Sequence, residues 1–345
     1  MSRNGSKPKS NITIFDVASA CGLSYGTVSR VLNNDPHVKA ETRTRVQETM
    51  QQLGFVINRQ ARSLAGGRSH VIGVLVPDLG TGYIGEIMRG IDAELAIAQY
   101  DLMLYTAHRR EAKESNYIAN LAQGMVEGLL LILPRNPGAY MDTLRQGELP
   151  FVLIDHQGID EKTYAVGATN WQGAYNAAEY LIQLGHQRIG FITGSMDLGC
   201  ARDRLAGYRA ALRTHHLSLD EALVCEGDFR QLDGYNQGLA LLDLPQPPTA
   251  IFASNDVTAM GVMDAVRERG LRVPDDVSVL GFDDIPQAVN IRPALTTVRQ
   301  PLEKMGRVAT QMLLDGFNAP PASPKRIELP TELIVRDSCQ APKSS

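Results

Sequence analysis

The sequence predicts a chain of two parts: a small all-α N-terminal domain with a helix-turn-helix, and a larger α/β domain with doubly wound parallel sheets. Three observations lead to this fold class. Residues 14–53 carry three short helical patterns. After Gly66–Gly67, strand-like and helical patterns alternate along most of the remaining chain. The first part is basic and the rest is acidic.

The first two helical patterns are separated by a short turn. Residues 14–18 repeat apolar side chains at i, i+3 and i+4, which predicts a helix. Cys21–Leu23 includes a glycine that permits a left-handed turn. Ser24 is placed to cap a second helix over Tyr25–Leu32. This pattern is typical of a helix-turn-helix.

A third helix is predicted over Ala40–Leu53. Val46 and Met50 lie on one face of this segment, and Gly54 is placed to end it. Residues 1–10 have the polar composition of a disordered leader.

The larger part alternates strands and helices. The predicted strands are Val71–Val76, Leu102–Tyr105, Leu129–Leu133, Phe151–Ile154, Arg188–Thr193, Ala250–Ala253 and Val277–Gly281. The predicted helices are Tyr83–Ala98, Tyr175–Leu184, Arg204–Thr214 and Ala259–Arg269. Repeated β–α units predict parallel sheets covered by helices on both faces, and their number favours two lobes. Ligands in such folds bind beyond the carboxyl ends of the strands.

The charge of the chain is unevenly distributed. Residues 1–66 hold nine Lys or Arg and four acidic residues, a net charge of +5, so the net charge of −4 leaves −9 for the remainder. A basic end on an acidic body is typical of proteins that bind the phosphate backbone of nucleic acids.

The cysteines and the hydropathy pattern narrow the class of protein. The four cysteines are Cys21, Cys200, Cys225 and Cys339, without the spacing of a disulfide framework or a zinc site. We therefore expect free thiols in the cytoplasm and no metal. No signal-peptide-like or membrane-spanning apolar run is present in the sequence, so we expect neither export nor a membrane partner.

The second helix has a polar side that fits DNA. Leu23 and Val28 close the small core of the helix-turn-helix. The side left exposed carries Tyr25, Gly26, Ser29 and Arg30. Polar tips and an arginine on such a helix can reach base edges and phosphates in the major groove.

The motif residues resemble the lactose-repressor/galactose-repressor (LacI/GalR) family over essentially the whole chain after residue 11. The resemblance begins at residues 14–33 and continues through His37-Val38, Thr42-Arg43, Val46, Gly54-Phe55, residues 58–66 (NRQARSLAG), Val76–Asp78, Gly185-His186, residues 204–208 (RLAGY), Asn255-Asp256, residues 281–284 (GFDD), residues 293–300 (PALTTVRQ) and residues 332–336 (ELIVR).

The resemblance implies a transcriptional regulator, a repressor by expectation, that binds a near-palindromic double-stranded DNA operator as a homodimer. Tyr25 and Arg30 would read bases in the major groove. Groove-edge and backbone contacts would come from Thr13, Ile14 and Phe15. Phosphate contacts would come from Ser24, Thr27, Ser29, Asn33, His37 and Thr42.

A hinge helix is also implied, within a linker over residues 57–68. Residues 58–65 would order only on DNA and lie in the minor groove, with Asn58 and Ala61 among the contacts. Leu64 matches the apolar wedge that unstacks the central base step and bends the duplex.

Two residues depart from the family pattern. Gly26 stands where a longer side chain usually sets operator specificity, so base recognition there is lost or altered. Lys39 replaces the usual Ser or Thr cap of the third helix.

The resemblance implies a two-lobed body like that of periplasmic sugar-binding proteins. After a reader domain over residues 11–56, the body would span residues 69–337 and be followed by a tail over 338–345. The first lobe would hold residues 69–166 and 298–327, and the second residues 167–297 and 328–337, with crossovers near Gly167, Val298 and Ile327.

Ten residues are candidates for the wall of the cleft. They are Tyr83, Arg135, Asp155, His156, Asn170, Cys200, Arg204, Phe229, Asn255 and Asp283. Acids, amides and a forked guanidinium suit adjacent hydroxyl groups, and an aromatic ring can stack on a pyranose face. Arg204 and Asp283 lead this set. Arg204 could instead be an exposed ion-pairing residue, and Asp283 or Asp284 could cap a turn after a strand.

The identity of the ligand is left open. Cys200 stands where some relatives have Ser or Thr, and Leu198 where purine-binding relatives have a cation. A carbohydrate effector is therefore expected, with no cofactor, and it could act as inducer or co-repressor. Trp171 could stack on a sugar or pack between the lobes. The tail lacks leucine heptads, which favours a dimer over a tetramer.

Two competing classes of protein are weighed and disfavoured. Residues 80–85 form a G-x-G-x-x-G motif, but three residues separate it from the strand and the next strand lacks the acid that would bind a ribose. An exported sugar receptor would share the lobes but lack the reader domain. The histidines show neither metal-ligand spacing nor a catalytic arrangement, so no enzyme is expected.

Overall fold

The computed structural model describes residues 12–32, 35–55, 69–80, 82–106, 125–134, 144, 149–156, 163–318 and 326–343. They belong to two units, Met1–Ser69 and His70–Ser345.

The described residues of the N-terminal unit form the three predicted helices, the second and third with the predicted bounds. They are α1 (Ile14–Cys21), α2 (Tyr25–Leu32) and α3 (Ala40–Leu53). Val17, Val28 and Val46, one from each helix, are fully buried and form the centre of a small core. Burial of these apolar side chains is the main stabilising term of so small a unit.

Local capping sets the ends of these helices. Thr13 and Asp16 form a capping box at the start of α1, and the Ser24 hydroxyl accepts the Thr27 N–H at 3.2 Å. Gly22 and Gly54 end α1 and α3 with φ of 63° and 65°, a backbone that glycine adopts without strain. The predicted turn, cap and stop are confirmed.

The second unit contains six helices of more than eight residues among its described residues. They are α4 (Gly82–Ala98), α5 (Asn170–Gln183), α6 (Gly199–Thr214), α7 (Gln231–Leu242), α8 (Asp256–Glu268) and α9 (Leu302–Asn318). Four were predicted, but three of those begin three to five residues before the predicted start. Their first turns contain Gly, Asn, Asp or Cys, which an apolar repeat does not reveal.

Within the part of the chain that the structure describes, twelve strands form two six-stranded sheets. The first sheet has the order β11-β5-β4-β3-β1-β2, with β1 (Val71–Val76), β2 (Asp101–Thr106), β3 (Gly128–Ile132), β4 (Phe151–Ile154), β5 (Ala165–Ala168) and β11 (Arg326–Leu329). The second has the order β12-β10-β9-β8-β6-β7, with β6 (Ile189–Ile192), β7 (Val224–Cys225), β8 (Ala250–Ala253), β9 (Ser278–Asp283), β10 (Thr296–Arg299) and β12 (Glu332–Ile334).

The sheets have the predicted parallel arrangement except at one edge. All recorded pairings are parallel apart from β10 with β12. Five strands (β5, β7, β10, β11 and β12) were not predicted, because they have only two to four residues, and polar residues in β10, β11 and β12 also hide the strand pattern.

The predicted crossovers need correction by one or two residues. The whole of β5 pairs in the first sheet, the whole of β10 in the second and the whole of β11 in the first, so the chain changes sheets after Ala168, Arg299 and Leu329. A strand is held by its ladder as a unit, so it cannot divide between two sheets as a boundary inside it would require.

The prediction of a separate tail at residue 338 is wrong. Ser338 is fully buried, accepts the Thr296 N–H at 2.8 Å and donates to the Val279 carbonyl at 2.6 Å. Gln340 donates its N–H to the Ser278 hydroxyl at 3.1 Å. The segment therefore satisfies backbone groups of β9 and β10 and belongs to the second lobe.

Glycines let the helices cross closely. A Cβ at Gly90 in α4 would overlap the Glu303 carbonyl oxygen in α9, and one at Gly261 in α8 would overlap the Gln231 carbonyl oxygen in α7. Gly82, part of the G-x-G-x-x-G motif, packs against Gln287 and Ile285 in the same way. Contact with a neighbouring segment thus explains this glycine without a nucleotide.

Candidate ligand cleft and nucleic-acid interface

A cleft in the second unit lies where strands of both sheets end. Pro77, Leu133 and Asp155 follow β1, β3 and β4, and Asp283 ends β9. Its described lining consists of Pro77, Asp78, Tyr83, Ile84, Leu133, Asp155, Leu198, Cys200, Arg204, Phe229, Asn255 and Asp283. The mixed apolar and polar wall is typical of a small-molecule site.

The structure brings seven of the ten predicted residues into this lining. They are Tyr83, Asp155, Cys200, Arg204, Phe229, Asn255 and Asp283. Asn170 lies behind the wall, where it binds Asp155 and Arg204. His156 is buried but is not part of the lining, and Arg135 lies outside the described residues.

Five lining residues were not predicted: Pro77, Asp78, Ile84, Leu133 and Leu198. Most are apolar, and a search for hydrogen-bonding side chains passes over them. Their position along the sequence could have identified some of them, because Pro77 and Leu133 directly follow strands.

Arg204 is the centre of a buried network. Its side chain is 2% exposed, Nε donates to Asn170 Oδ1 at 2.8 Å, and Nη1 donates to the Ser254 carbonyl at 2.5 Å. Nη1 also lies 3.5 Å from Asp283 Oδ1, and the guanidinium stacks 3.8 Å from the centroid of the Phe282 ring. The alternative of an exposed ion-pairing residue is therefore excluded.

The two neighbouring acids Asp283 and Asp284, at and just after the end of β9, have different partners. Asp283 Oδ1 accepts a hydrogen bond from Gln300 Nε2 at 2.7 Å, next to the second crossover. Asp284 forms ion pairs with Arg299 at 2.7 Å and Arg336 at 2.5 Å. Asp284 stabilises the loop, and Asp283 is left to face the cleft.

The network continues into the first lobe through Asp155. Tyr83 donates its hydroxyl to Asp155 Oδ2 at 2.8 Å, and Asn170 Nδ2 donates to Oδ1 at 3.2 Å. Asn170 accepts from Arg204, so one set of hydrogen bonds joins side chains attached to both sheets. A satisfied network of this kind holds its members in one geometry.

Burial controls the protonation of this wall. Burial raises the pKa of Asp283 to about 7 although Arg204 opposes the shift. Burial, with the charges of Asp155 and Asp283, raises the pKa of Tyr83 well above its usual range. Burial likewise raises the pKa of Cys200 far above that of a free thiol. Tyr83 is a hydroxyl donor and Cys200 a neutral thiol, so this cleft offers no thiolate nucleophile.

The backbone is unusual where the wall meets the strands. Leu133, Asp155, Phe229 and Asp283 have φ of 47°, 53°, 60° and 115°. Such values are costly for non-glycine residues and concentrate at functional sites. They turn the side chains out of the sheet direction and into the cleft region.

His156 gives a prediction about pH. It is 8% exposed, neither ring nitrogen has a hydrogen-bond partner among the described residues, and burial lowers its pKa to about 4. Because the folded-state pKa lies below that of the unfolded chain, its contribution to stability is complete above pH 6.5 and is lost as the pH falls towards 4.

We expect the free energy of unfolding to fall by about 2 kcal/mol more between pH 7 and pH 5 in the native protein than in His156→Leu. Denaturant unfolding at both pH values measures the difference. His216→Asn, at an exposed position, is the control and should keep the native slope. Equal slopes for His156→Leu and the native protein would contradict the assignment.

Trp171 lies outside the described lining of the cleft. Its side chain is 41% exposed and stacks on Tyr175, one turn further along α5, at 5.4 Å between ring centroids. Neither sugar stacking in this cleft nor packing between the lobes accounts for it.

The polar face of α2 is exposed as predicted. Phe15 and Tyr25 are 65% and 44% exposed and stack with ring centroids 5.0 Å apart. Arg30 is exposed and donates Nε to the Gly26 carbonyl at 3.2 Å, one turn back. Exposed Tyr25 and Arg30 on α2, with Phe15 of α1 stacked on Tyr25, suit base edges and phosphates.

The remaining predicted DNA contacts surround this face or fall outside the description. Ser24 and Thr27 share a hydrogen bond of 2.9 Å at the start of α2, and Thr13 is exposed in the capping box of α1. His37 is exposed, whereas Ile14, Ser29 and Thr42 are half-buried. Four predicted contacts lie outside the described residues: Asn33, Asn58, Ala61 and Leu64.

The two departures from the family pattern have visible local consequences. Lys39 makes no side-chain cap for α3. A Cβ at Gly26 would meet only the Ser24 hydroxyl, at 3.9 Å, so the position has room for a side chain.

We therefore expect Gly26→Ala to stabilise α2 by about 1 kcal/mol, because alanine favours the helix without a clash. Hydrogen exchange of the α2 amides should slow about fivefold. Gly54→Ala, at φ 65°, is the matched control and should destabilise α3. Faster exchange in Gly26→Ala would contradict this account.

No described helix is long and apolar enough to span a membrane. No group of three or more His, Cys, Asp or Glu among the described residues could hold a metal ion.

Comparison with known proteins agrees with both parts of the structure. Residues 13–58 match the family "Bacterial regulatory proteins, lacI family", and residues 178–339 match "Periplasmic binding protein-like domain". Catabolite control protein A of Priestia megaterium is 32% identical over 330 residues, covering 95% of this chain and 99% of that protein.

Two solved structures are similar over nearly the full length. The lac repressor dimer bound to operator and the anti-inducer ONPF has a TM-score of 0.84 and 29% identity, covering 96% of this chain and 100% of that one. The transcriptional regulator CelR–cellobiose complex has a TM-score of 0.75 and 31% identity, covering 95% and 99%.

A helix-turn-helix unit and a two-sheet body with a polar cleft define a ligand-binding transcriptional regulator. The chain belongs to the LacI family of bacterial regulatory proteins. The matched family consists of regulatory proteins and the similar solved structures are regulators of transcription, so the chain is a DNA-binding regulator.

Proposed function

We propose that this protein is a cytoplasmic repressor that binds a near-palindromic operator as a homodimer. A sugar bound in the cleft raises or lowers its affinity for that operator. The resemblance supports the repressor role, and the exposed α2 face supports the operator. The effector role depends on the cleft, where one observation carries most of the weight.

That observation is the pair of groups left open by the buried network. Within the described residues, Arg204 Nη2 and Asp283 Oδ2 make no hydrogen bond, although every other polar atom of the two side-chain heads is engaged. A donor and an acceptor held side by side match two adjacent hydroxyl groups. Phe229 supplies an aromatic face beside them.

Hydroxyl recognition by this pair would couple the two lobes. Asp283 is tied to Gln300 at the second crossover, and Arg204 reaches Asp155 of the first lobe through Asn170. A ligand that binds the closed cleft better than the open one would shift the lobe equilibrium and thereby the hinge segment over residues 57–68. In this proposal Asn58, Ala61 and Leu64 lie in the minor groove, and no cofactor takes part.

Selection of genomic fragments by the purified chain, with and without a panel of sugars, tests the proposal. We expect one fragment class with a near-palindromic sequence to be enriched, and one sugar to change that enrichment in either direction. Sedimentation of the complex should give two chains per duplex. No preference for any duplex over random competitor DNA would refute the regulator, and a tetramer would refute the dimer.

A further inference from the structure

Arg204 is the only cation among the described residues that line the cleft. Its charge is already engaged, because Asp283 lies 3.5 Å away and the Asn170 and Ser254 oxygens accept two of its N–H groups. An acidic ligand would therefore have to share a guanidinium that a buried carboxylate holds first.

The rest of the described lining is rich in carboxylates. Asp78, Asp155 and Asp283 all face the cleft. Asp283 is 4% exposed, so water screens its charge weakly. The raised pKa of Tyr83, to which the charges of Asp155 and Asp283 contribute, is consistent with a negative potential here. A second carboxylate or a phosphate brought into this space is repelled.

The N-terminus of α6 adds a positive potential to the wall of the cleft. Leu198 occupies the N-cap position of α6 and makes no side-chain cap, so the first N–H groups of the helix, near Cys200, can donate to a ligand. A helix N-terminus is equivalent to about half a positive charge. It offsets only part of one carboxylate, and its N–H groups are equally suited to hydroxyl oxygens.

We propose that the effector is an uncharged saccharide and that the cleft discriminates against carboxylated and phosphorylated sugars. This inference rests on the proposed function, since it specifies the chemistry of the ligand in the same cleft.

Calorimetry on the full chain at pH 7.5 with matched sugars tests the inference. The first set of probes is galactose, galacturonate and galactosamine, and the second is glucose, glucuronate and glucosamine. Glucose 6-phosphate is compared with glucose, and cellobiose is added as a neutral disaccharide. The neutral form that binds should do so at least about 100-fold tighter than its carboxylated or phosphorylated partner. The amino form should not show the loss of affinity of the acidic form, because the carboxylates of the lining attract a cation.

Charge-neutralising variants separate repulsion from shape. Asp283→Asn releases the Arg204 charge, so the affinity for the acidic form should rise about tenfold relative to the neutral form. Asp78→Asn should also raise the affinity for the acidic form relative to the neutral form, and it leaves the buried network intact. This variant replaces Asp283→Asn in the test if Asp283→Asn does not fold. Asp264→Asn changes the net charge equally at a side chain of α8 that is 41% exposed and lies outside the described lining, so it should leave the ratio unchanged.

The outcomes distinguish the two levels of the proposal. A uronate or sugar phosphate that binds as tightly as its neutral partner and alters operator binding overturns the charge inference but leaves the sugar-controlled repressor intact. An amino sugar that binds as weakly as its acidic partner also overturns it, because repulsion by carboxylates acts only on anions. If no sugar binds while operator selection persists, both the charge inference and the sugar effector are refuted, and only DNA recognition remains.

Discussion

Arg204→Ala is expected to lower the free energy of unfolding of the second unit by roughly 3–5 kcal/mol. The substitution removes the cation that faces Asp283, leaves the Ser254 carbonyl and the Asn170 oxygen without their donors, and opens a space against Phe282. Breaking a buried pair from one side is costly because the remaining charge has no compensation. Denaturant unfolding followed by far-UV circular dichroism measures the loss.

Arg209→Ala is the matched control for this prediction. Arg209 lies on the same helix and pairs with Glu221, but its side chain is 40% exposed, so its loss should cost less than about 1 kcal/mol. Asp283→Asn in the Arg204→Ala background should restore part of the stability, because it removes the unpaired acid. A stability loss equal to that of the control would show that the buried network contributes little.

Arg30→Ala is expected to weaken specific operator binding by about 1–3 kcal/mol at each half-site. With two half-sites the affinity should fall at least roughly 30-fold. Arg30 is exposed, its Nε contacts only the Gly26 carbonyl one turn back, and its side chain contributes nothing to the core of the unit. Folding should therefore be unaffected, and titration of a labelled operator against random duplex measures the effect.

Arg45→Ala is the control for the loss of charge. Arg45 is exposed on α3, and its replacement by alanine removes the same charge from the same unit. The affinity for operator and for random DNA should therefore fall slightly and equally. Arg30→Ala should instead reduce the preference for the operator. If both variants reduced binding to both duplexes equally, Arg30 would be a phosphate contact and not a base reader.

Much of the N-terminal unit could be predicted from local sequence. Gly22, Ser24 and Gly54 set the turn, the cap and the stop through backbone conformation and hydrogen bonds to near neighbours. The capping box of Thr13 with Asp16 is equally local, although it was not predicted. Interactions within one turn of helix depend on few residues, so sequence patterns identify them well.

Most polar residues of the cleft wall were predicted, with Asp78 as the exception, and its aliphatic residues were missed. The resemblance drew attention to Arg204 and Asp283, whereas Leu133 and Ile84 carry no chemical signal and are identified only by where their strand and helix lie. The edge strands β10 and β12, and the segment from Ser338 that follows them, were also missed. Their hydrogen bonds come from residues about 40 to 60 positions away in sequence.

The sequence by itself determined the helix-turn-helix, the alternation of strands and helices, the family and the residue types available for a ligand. Only the tertiary structure decided that Arg204 is buried against Asp283 and Phe282, that Asp284 and not Asp283 pairs with the loop arginines, and that Trp171 lies off the cleft. The physical reason is range: caps and periodicity act within a few residues, whereas burial, charge pairing and strand crossovers depend on segments brought together by folding.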